Sequence, residues 1–479
     1  MNRNVTTWCL RVFLLLTILL AGCFPDNSLV WSGDGAWGLF RAEGKLFLVE
    51  GATGKLTPVE PDGGVSNMPG ISADGKHIAY VKGVPCTEVS EGLEAFPPAT
   101  SAMVRRDAEQ LAQKVVAGLV TPEALTSDKG KPFSFTEPYS SWVLRAMVEN
   151  PEDALVEKLG PDVLAECRDR DIGYCRLIVA PREDLQASRT LATLPTAAFR
   201  CRFSPDGRYV AYIAPDREDD DVGTLLVASV DGRIGALQIV ERIALGYDWR
   251  PDSRALAYLK QDGDSLLGVV EEKVIVDTAG ALRTELAANP DTAPVGILRC
   301  PSEGKQLSGT LFQPLMQVQY GPSGRLFFSS PAVTIPTSDL DEPTYSLFCY
   351  DPVTGTVANV LPAALSETIG DGINFFSISP DGKRVLLTME KNRFAIYAFG
   401  EKTPEVPLDE DEGFGDSSLP EMLPSWRTSA QIACLVSGES RFLSDDVKGS
   451  ADRNEMVVLN VSGDFHSHLS ADWPDDIMP

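Results

Sequence analysis

One short pattern recurs along the 479-residue chain and constrains its fold more than any other feature: an apolar residue, a Ser-Pro-Asp-Gly-like turn, a polar pair and an alternating apolar strand. It is fullest at Phe203-Ser204-Pro205-Asp206-Gly207 before Tyr209-Val210-Ala211-Tyr212, and at Ile378-Ser379-Pro380-Asp381-Gly382 before Val385-Leu386-Leu387. Ile71-Ser72-Ala73-Asp74-Gly75 and Trp249-Arg250-Pro251-Asp252-Ser253 are further copies. Trp31-Ser32-Gly33-Asp34-Gly35, Tyr320-Gly321-Pro322-Ser323-Gly324 and Trp426-Arg427-Thr428-Ser429 are degraded ones. Proline presets φ, the aspartate side chain bonds nearby backbone N–H groups, and glycine takes the left-handed conformation that closes a bulged hairpin. The turn accounts for all three residue types at once, so Asp34, Asp74, Asp206, Asp252 and Asp381 read as structural turn residues rather than catalytic acids.

Anchored on the aspartate position, the copies fall at 34, 74, 206, 252, 323, 381 and 429. Most of the separations suit a four-stranded unit of about 40 to 50 residues. Further strands follow each anchor, as at Lys45–Val49 and Leu56–Val59, and again at Tyr345–Tyr350 and Val357–Val360. The pattern resembles the TolB-type β-propeller repeat, a WD-repeat-like family, over most of the chain. That resemblance implies an all-β propeller. Counting copies gives seven four-stranded blades, with six or eight as the alternatives. The α/β domain that accompanies the TolB propeller has no counterpart in this sequence.

The interval between Asp74 and Asp206 exceeds one repeat, and its excess changes from strand-like to helical. Met103, Val104, Leu111, Val115, Val116 and Leu119 fall at helical spacing, as do Trp142, Val143, Ala146 and Met147. Thr121-Pro122-Glu123, Pro151-Glu152-Asp153 and Pro161-Asp162-Val163 are helix starts. A helical insertion over 87–172 in the second blade is therefore expected, on the face away from the Ser-Pro-Asp-Gly turns. The acidic stretches holding Asp219, Asp220, Asp221, Asp341, Glu342, Asp409 and Asp411 are expected on that face too. They read either as a binding rim for a basic partner or as solvated loops.

The first residues address the chain. Arg3 and Arg11 flank an apolar run, Val12 to Leu20, that is too short to span a bilayer as a mature helix and reads as an export signal. It ends in Leu20-Ala21-Gly22-Cys23, which resembles the bacterial lipobox and implies cleavage after residue 22 and lipidation of Cys23. The expected organisation is a leader over 1–22, a lipidated tether over 23–28 and the propeller over 29–479, held at a membrane of the bacterial envelope by lipid alone. If the host is Gram-negative, Phe24 after that cysteine resembles the outer-membrane pattern.

The formal net charge is −26, and removing a leader that carries Arg3 and Arg11 but no acid makes it more negative still. Such a surface disfavours nucleic acid and anionic headgroups. An envelope protein or a glycan is the expected partner. No cofactor or metal is expected, because no CxxC or Cys/His spacing points to zinc. Cys201, Cys349 and Cys434 lie in alternating apolar runs and read as buried strand thiols. Cys86, Cys167 and Cys175 are candidates for a disulfide, with Cys86 and Cys175 bracketing the helical segment.

Only His77, His466 and His468 are available for general acid–base work, and none stands in a recognisable catalytic motif. The serine-hydrolase elbow, phosphate loop and dinucleotide fingerprint are all missing. The sequence therefore favours a binding module. A propeller-based hydrolase or lyase with its site at the channel mouth is the alternative, because propeller loops can gather catalytic groups without a linear motif.

Overall fold

The computed structural model describes residues 28–60, 64–126, 135–219, 221–261, 267–283, 294–297, 300–302, 305–307, 310–311, 317–331, 345–361, 373–389, 394–401, 422–437, 454–470 and 473. Cys23, with the leader expected over 1–22 and most of the tether expected over 23–28, lies outside them.

The turns set the local structure. At Ser72–Gly75 the Ser72 hydroxyl donates to Asp74 (2.7 Å), Asp74 accepts the Lys76 N–H (3.0 Å), and Gly75 sits at φ +66°. The same bonds recur from Ser32 to Asp34, Ser204 to Asp206 and Ser379 to Asp381, with Gly35, Gly207 and Gly382 all at positive φ. Arg250 takes the serine's place opposite Asp252, and Ser253 takes the glycine's at φ +62°. One copy escaped the sequence reading: Ser229, Asp231 and Gly232 form the same turn between two outer strands.

Each turn opens an antiparallel sheet. Strands β1 (Ser28–Trp31), β2 (Trp37–Ala42), β3 (Lys45–Glu50) and β4 (Leu56–Glu60) form one in chain order. Strands β5 (Val65–Ile71), β6 (His77–Cys86), β7 (Ile172–Pro181) and β8 (Arg189–Leu194) form the next. Strands β9 (Phe199–Phe203), β10 (Tyr209–Pro215) and β11 (Gly223–Ser229) lead to β12 (Leu237–Trp249), a strand long enough to serve twice. Its first half pairs with β11, and its second half pairs with β13 (Ala255–Gln261), with Tyr247 opposite Tyr258. Beyond β13 come β14 (Leu267–Val274) and the short β15 (Val295–Gly296), β16 (Cys300–Ser302), β17 (Lys305–Leu307) and β18 (Thr310–Leu311). Two more meanders follow: β19 (Val318–Tyr320), β20 (Leu326–Pro331), β21 (Tyr345–Asp351) and β22 (Thr356–Asn359), then β23 (Ile373–Ile378), β24 (Arg384–Met389) and β25 (Phe394–Ala398). The last sheet is β26 (Ser425–Thr428), β27 (Gln431–Ser437), β28 (Asn454–Asn460) and β29 (Phe465–His468).

Each of the larger sheets is sandwiched between two others, which is why its middle strands are buried on both faces. Tyr209–Ile213 and Ala255–Leu259 are unbroken buried runs rather than alternating ones. Trp37 and Leu39 of the first sheet pack on Ile78 and Tyr80 of the second, whose Ala79 and Leu177 pack on Phe203 and Tyr212. Leu225 and Val227 meet Tyr247 and Leu256, and Leu259 and Val270 meet Leu326 and Phe328. Phe327 and Leu347 meet Phe376 and Leu387, and Leu386 and Ile396 meet Trp426 and Val457. Met456 and Val458 of the last sheet then pack on Phe40 and Phe47 of the first. Sheets packed face to face around a closed circuit make a β-propeller.

Side chains stitch neighbouring inner strands together. The Trp249 indole donates to the Arg202 carbonyl (3.2 Å), and Trp426, at the same place in its own repeat, donates to that of Ser377 (2.9 Å). Asp248 accepts from Arg202 (2.6 Å) and from the Tyr320 N–H (2.8 Å), and Gln319 accepts the Ile378 N–H (3.0 Å).

Between β6 and β7 the chain is helical: α1 (Val89–Ala95), α2 (Pro98–Val116), α3 (Pro122–Thr126), α4 (Glu137–Met147) and α5 (Asp153–Arg168). Gly160, at φ +71°, breaks α5 just before Pro161, so two helical pieces lie there. The β6–β7 ladder runs from His77 opposite Pro181, beside the turn, to Cys86 opposite Ile172, beside the helices. Helices and turn therefore occupy opposite ends of the same hairpin.

Candidate functional site

The helices have a core of their own. Val104, Leu111 and Val115 of α2 pack with Trp142, Val143 and Met147 of α4 and with Leu155, Leu159 and Leu164 of α5. Trp142 is fully buried, and its indole N–H is shared between the carbonyls of Gly173 (3.0 Å) and Pro195 (3.1 Å). Its ring leaves no room beyond Gly92, where a Cβ would fall 2.0 Å from the indole. Arg145 closes the neck, bonding the carbonyl of Thr87 where the helices begin and those of Arg168 and Arg170 where they end.

A buried acid ties this unit to the neighbouring sheet. Asp107 of α2, only 3% exposed, accepts from the Tyr139 hydroxyl (2.9 Å) and pairs with Arg217 of the β10–β11 loop, whose carbonyl accepts the Thr136 N–H (2.8 Å). Burial works against the Arg217 charge, but Asp107 more than compensates, so its pKa is raised. Removing one member of such a buried pair costs about 3 to 5 kcal/mol. The helices are thus fixed to the ring at both their neck and their flank.

Not every residue of the expected apolar stripe serves that core. Leu119 is 77% exposed, and Val116 and, from α5, Val156 are also exposed.

Of the residues expected on an acidic rim, two lie among the described ones. Asp219 and Asp221 lie in the loop that carries Arg217, and Asp219 stands 3.7 Å from Arg242. Asp220, Asp341, Glu342, Asp409 and Asp411 lie outside the described residues.

Cys86 faces Ile172 and Cys175 faces Gly83, three rungs apart on one ladder. At about 3.3 Å per residue that offset exceeds the reach of a disulfide, so Cys86 and Cys175, two of the three disulfide candidates, are not bonded to each other. Cys167 lies in the helical core, and burial pushes its thiol up to about 11. Cys201 and Cys434, buried strand residues as expected, are pushed up to about 12 by the same cause.

The turn aspartates behave as turn chemistry requires. Asp34 and Asp74 are held below the ordinary carboxylate range, chiefly by the hydroxyls of Ser32 and Ser72. Burial works the other way at Asp206, Asp252 and Asp381 and is outweighed by hydrogen bonds from Ser204, Arg250 and Ser379 respectively. His77 begins β6 beside its turn, and His468 stands 2.8 Å from the buried Glu455. Among the described residues no group of three or more His, Cys, Asp or Glu side chains converges to hold a metal.

No family model matches the chain, and no curated protein does. Solved structures similar to it include the β-propeller domain of the Trilobed protease from Pyrococcus furiosus (10% identity, 94% of this chain and 99% of that chain, TM-score 0.46). TolB from Acinetobacter baumannii is another (12%, 61% and 58%, TM-score 0.36), as is the oligogalacturonate lyase from Vibrio parahaemolyticus (12%, 75% and 72%, TM-score 0.39).

Proposed function

We propose that this chain is a lipid-anchored envelope protein whose seven-bladed propeller carries a helical insertion, over 87–172, that docks another envelope protein. The observation that carries this reading is the insertion itself: it is braced at neck and flank, yet presents Leu119, Val116 and Val156 outward rather than spending them on its own core. Apolar side chains left on a rigid, charged surface are the usual anchors of a protein interface. Acids outnumber bases within 87–172, and Asp219 and Asp221 lie in the adjoining loop, so charge complementarity favours a basic partner surface.

The test is cross-linking and co-purification from the host envelope. Leu119→Glu, at an exposed position, is expected to cut recovery of the partner at least tenfold while leaving the melting temperature unchanged. Recovery that stays at the level of the unsubstituted protein both with Leu119→Glu and with 87–172 deleted sinks the docking role.

The anchor is tested separately. Cys23→Ser is expected to move the protein from the detergent phase to the aqueous phase in a phase-partition assay; an unchanged partition refutes lipidation.

A further inference from the structure

The chain enters the ring on the same face as its helical insertion. The Ser-Asp-Gly turns share the other face: a Cβ on Gly33 would fall 3.8 Å from the Ala73 carbonyl oxygen of the second turn, and one on Gly35 2.6 Å from that of Arg427 in the last sheet. Strand β1 runs from Ser28 toward its turn at Ser32–Gly35, so Ser28 marks the end away from the turns, where it faces Arg41 close to the β2–β3 loop. From that loop a run of backbone bonds leads toward the neck of the helices. The Val65 N–H donates to the Gly44 carbonyl (2.7 Å), and the Gly83 N–H donates to that of Gly64. Gly83 stands three residues before Cys86, where β6 ends beside the helices.

Length then fixes orientation. Ser28 is five residues beyond Cys23, a reach of about 18 Å at full extension. Strand β1 lies beside β5 and β26, the first strands of its two neighbours, and so lines the inside of the ring. A path from Ser28 around the rim to the turn face crosses three further strands at about 4.8 Å each and then descends the six-residue β2 at about 3.3 Å per residue, roughly twice that reach. A lipid on Cys23 therefore holds the insertion face, not the turn face, toward the bilayer.

We infer that the tethered ring meets its membrane with the helical insertion, and that the partner docked at Leu119 is a protein seated in that same membrane. This orientation rests on the lipidation of Cys23 proposed above. The bilayer itself is the poorer occupant. Acids outnumber bases within 87–172, so anionic headgroups repel the unit, and Leu119, Val116 and Val156 offer little apolar surface to insert. A membrane protein with a basic outer surface meets both the charge and the apolar anchors. Holding the two in one plane raises their effective concentration, so a small interface suffices.

Energy transfer tests the orientation, using the full chain purified from host membranes and placed in vesicles of phosphatidylethanolamine with a minority of phosphatidylglycerol and an acceptor dye on the headgroups. A donor dye on Leu119→Cys is expected to transfer roughly three times as efficiently as one on Arg233→Cys, an exposed position beside the Ser229–Gly232 turn, with the unsubstituted chain as blank. Inserting about 20 Gly and Ser residues after Asn27 is expected to shrink the difference, and an undiminished one overturns the tether as its cause. A chain that fails to join the vesicles refutes lipidation, whereas one that joins them and transfers equally from both dyes refutes the orientation alone. In the host envelope a photo-cross-linker at Leu119 is expected to trap a protein that stays in the membrane after carbonate extraction. Trapping lipid alone, or a protein that washes off, overturns the assigned partner.

Discussion

Two junctions of the ring are held in different ways. Where the third and fourth sheets meet, β12 belongs to both, and a continuous backbone ladder crosses the boundary. The single proton of the Tyr247 hydroxyl is shared between the carbonyls of Arg200 (2.6 Å) and Ala211 (2.7 Å). Where the last sheet meets the first, each consists of its own stretch of chain, and among the described residues no strand is shared. Side chains carry that seam: Phe40 lies against Trp473 with ring centroids 4.5 Å apart, the Trp473 indole donates to the Gly54 carbonyl (2.7 Å), and Arg427 lies 5.5 Å over Trp31. A ladder fails only when the strand itself unfolds, whereas a seam of side chains can part with both sheets intact. The closing junction is therefore the place where the ring opens first.

The sharpest way to break this comparison is Trp473→Ala, which empties the centre of the seam. A loss of about 3 to 5 kcal/mol is expected, with hydrogen exchange accelerating first in β1–β4 and β26–β29. Uniform acceleration around the ring would show that the seam is no weaker than the rest. Tyr247→Phe is the counterpart at the shared strand and is expected to cost about 1 kcal/mol, without local opening, because the ladder remains. Asp74→Asn probes the turns common to both junctions and is expected to have the smallest effect at neutral pH. Because the folded Asp74 and Asp34 values lie below 3.8, the stability they contribute is complete above about pH 4 and is lost as pH falls through the folded values. Melting temperatures measured from pH 7 to 2.5 should drop at the acid end, and less steeply in Asp74→Asn.

The turns were legible in the sequence because their chemistry is local: serine, aspartate and glycine act within five residues of one another. The helices were legible because Leu111, Val115, Trp142 and Val143 repeat at helical spacing. What escaped has partners far away in the chain. Asp107 looks like any surface acid of α2 until Arg217, 110 residues on, buries it. Leu119 reads as one more member of an apolar stripe, and only the packing shows that it stands outside. The dual role of β12 was hidden because Arg242, at φ +54°, bends the strand without a turn motif.

The side-chain seam also sets a schedule. Residues 28–60 can complete their sheet as soon as they emerge, yet Phe40 and Phe47 of that sheet wait for Met456, Val458 and Trp473 to cover them. Through the interval of synthesis this first sheet carries a bare apolar flank, the surface that a chaperone would guard and that a stalled or truncated chain would leave exposed to aggregation.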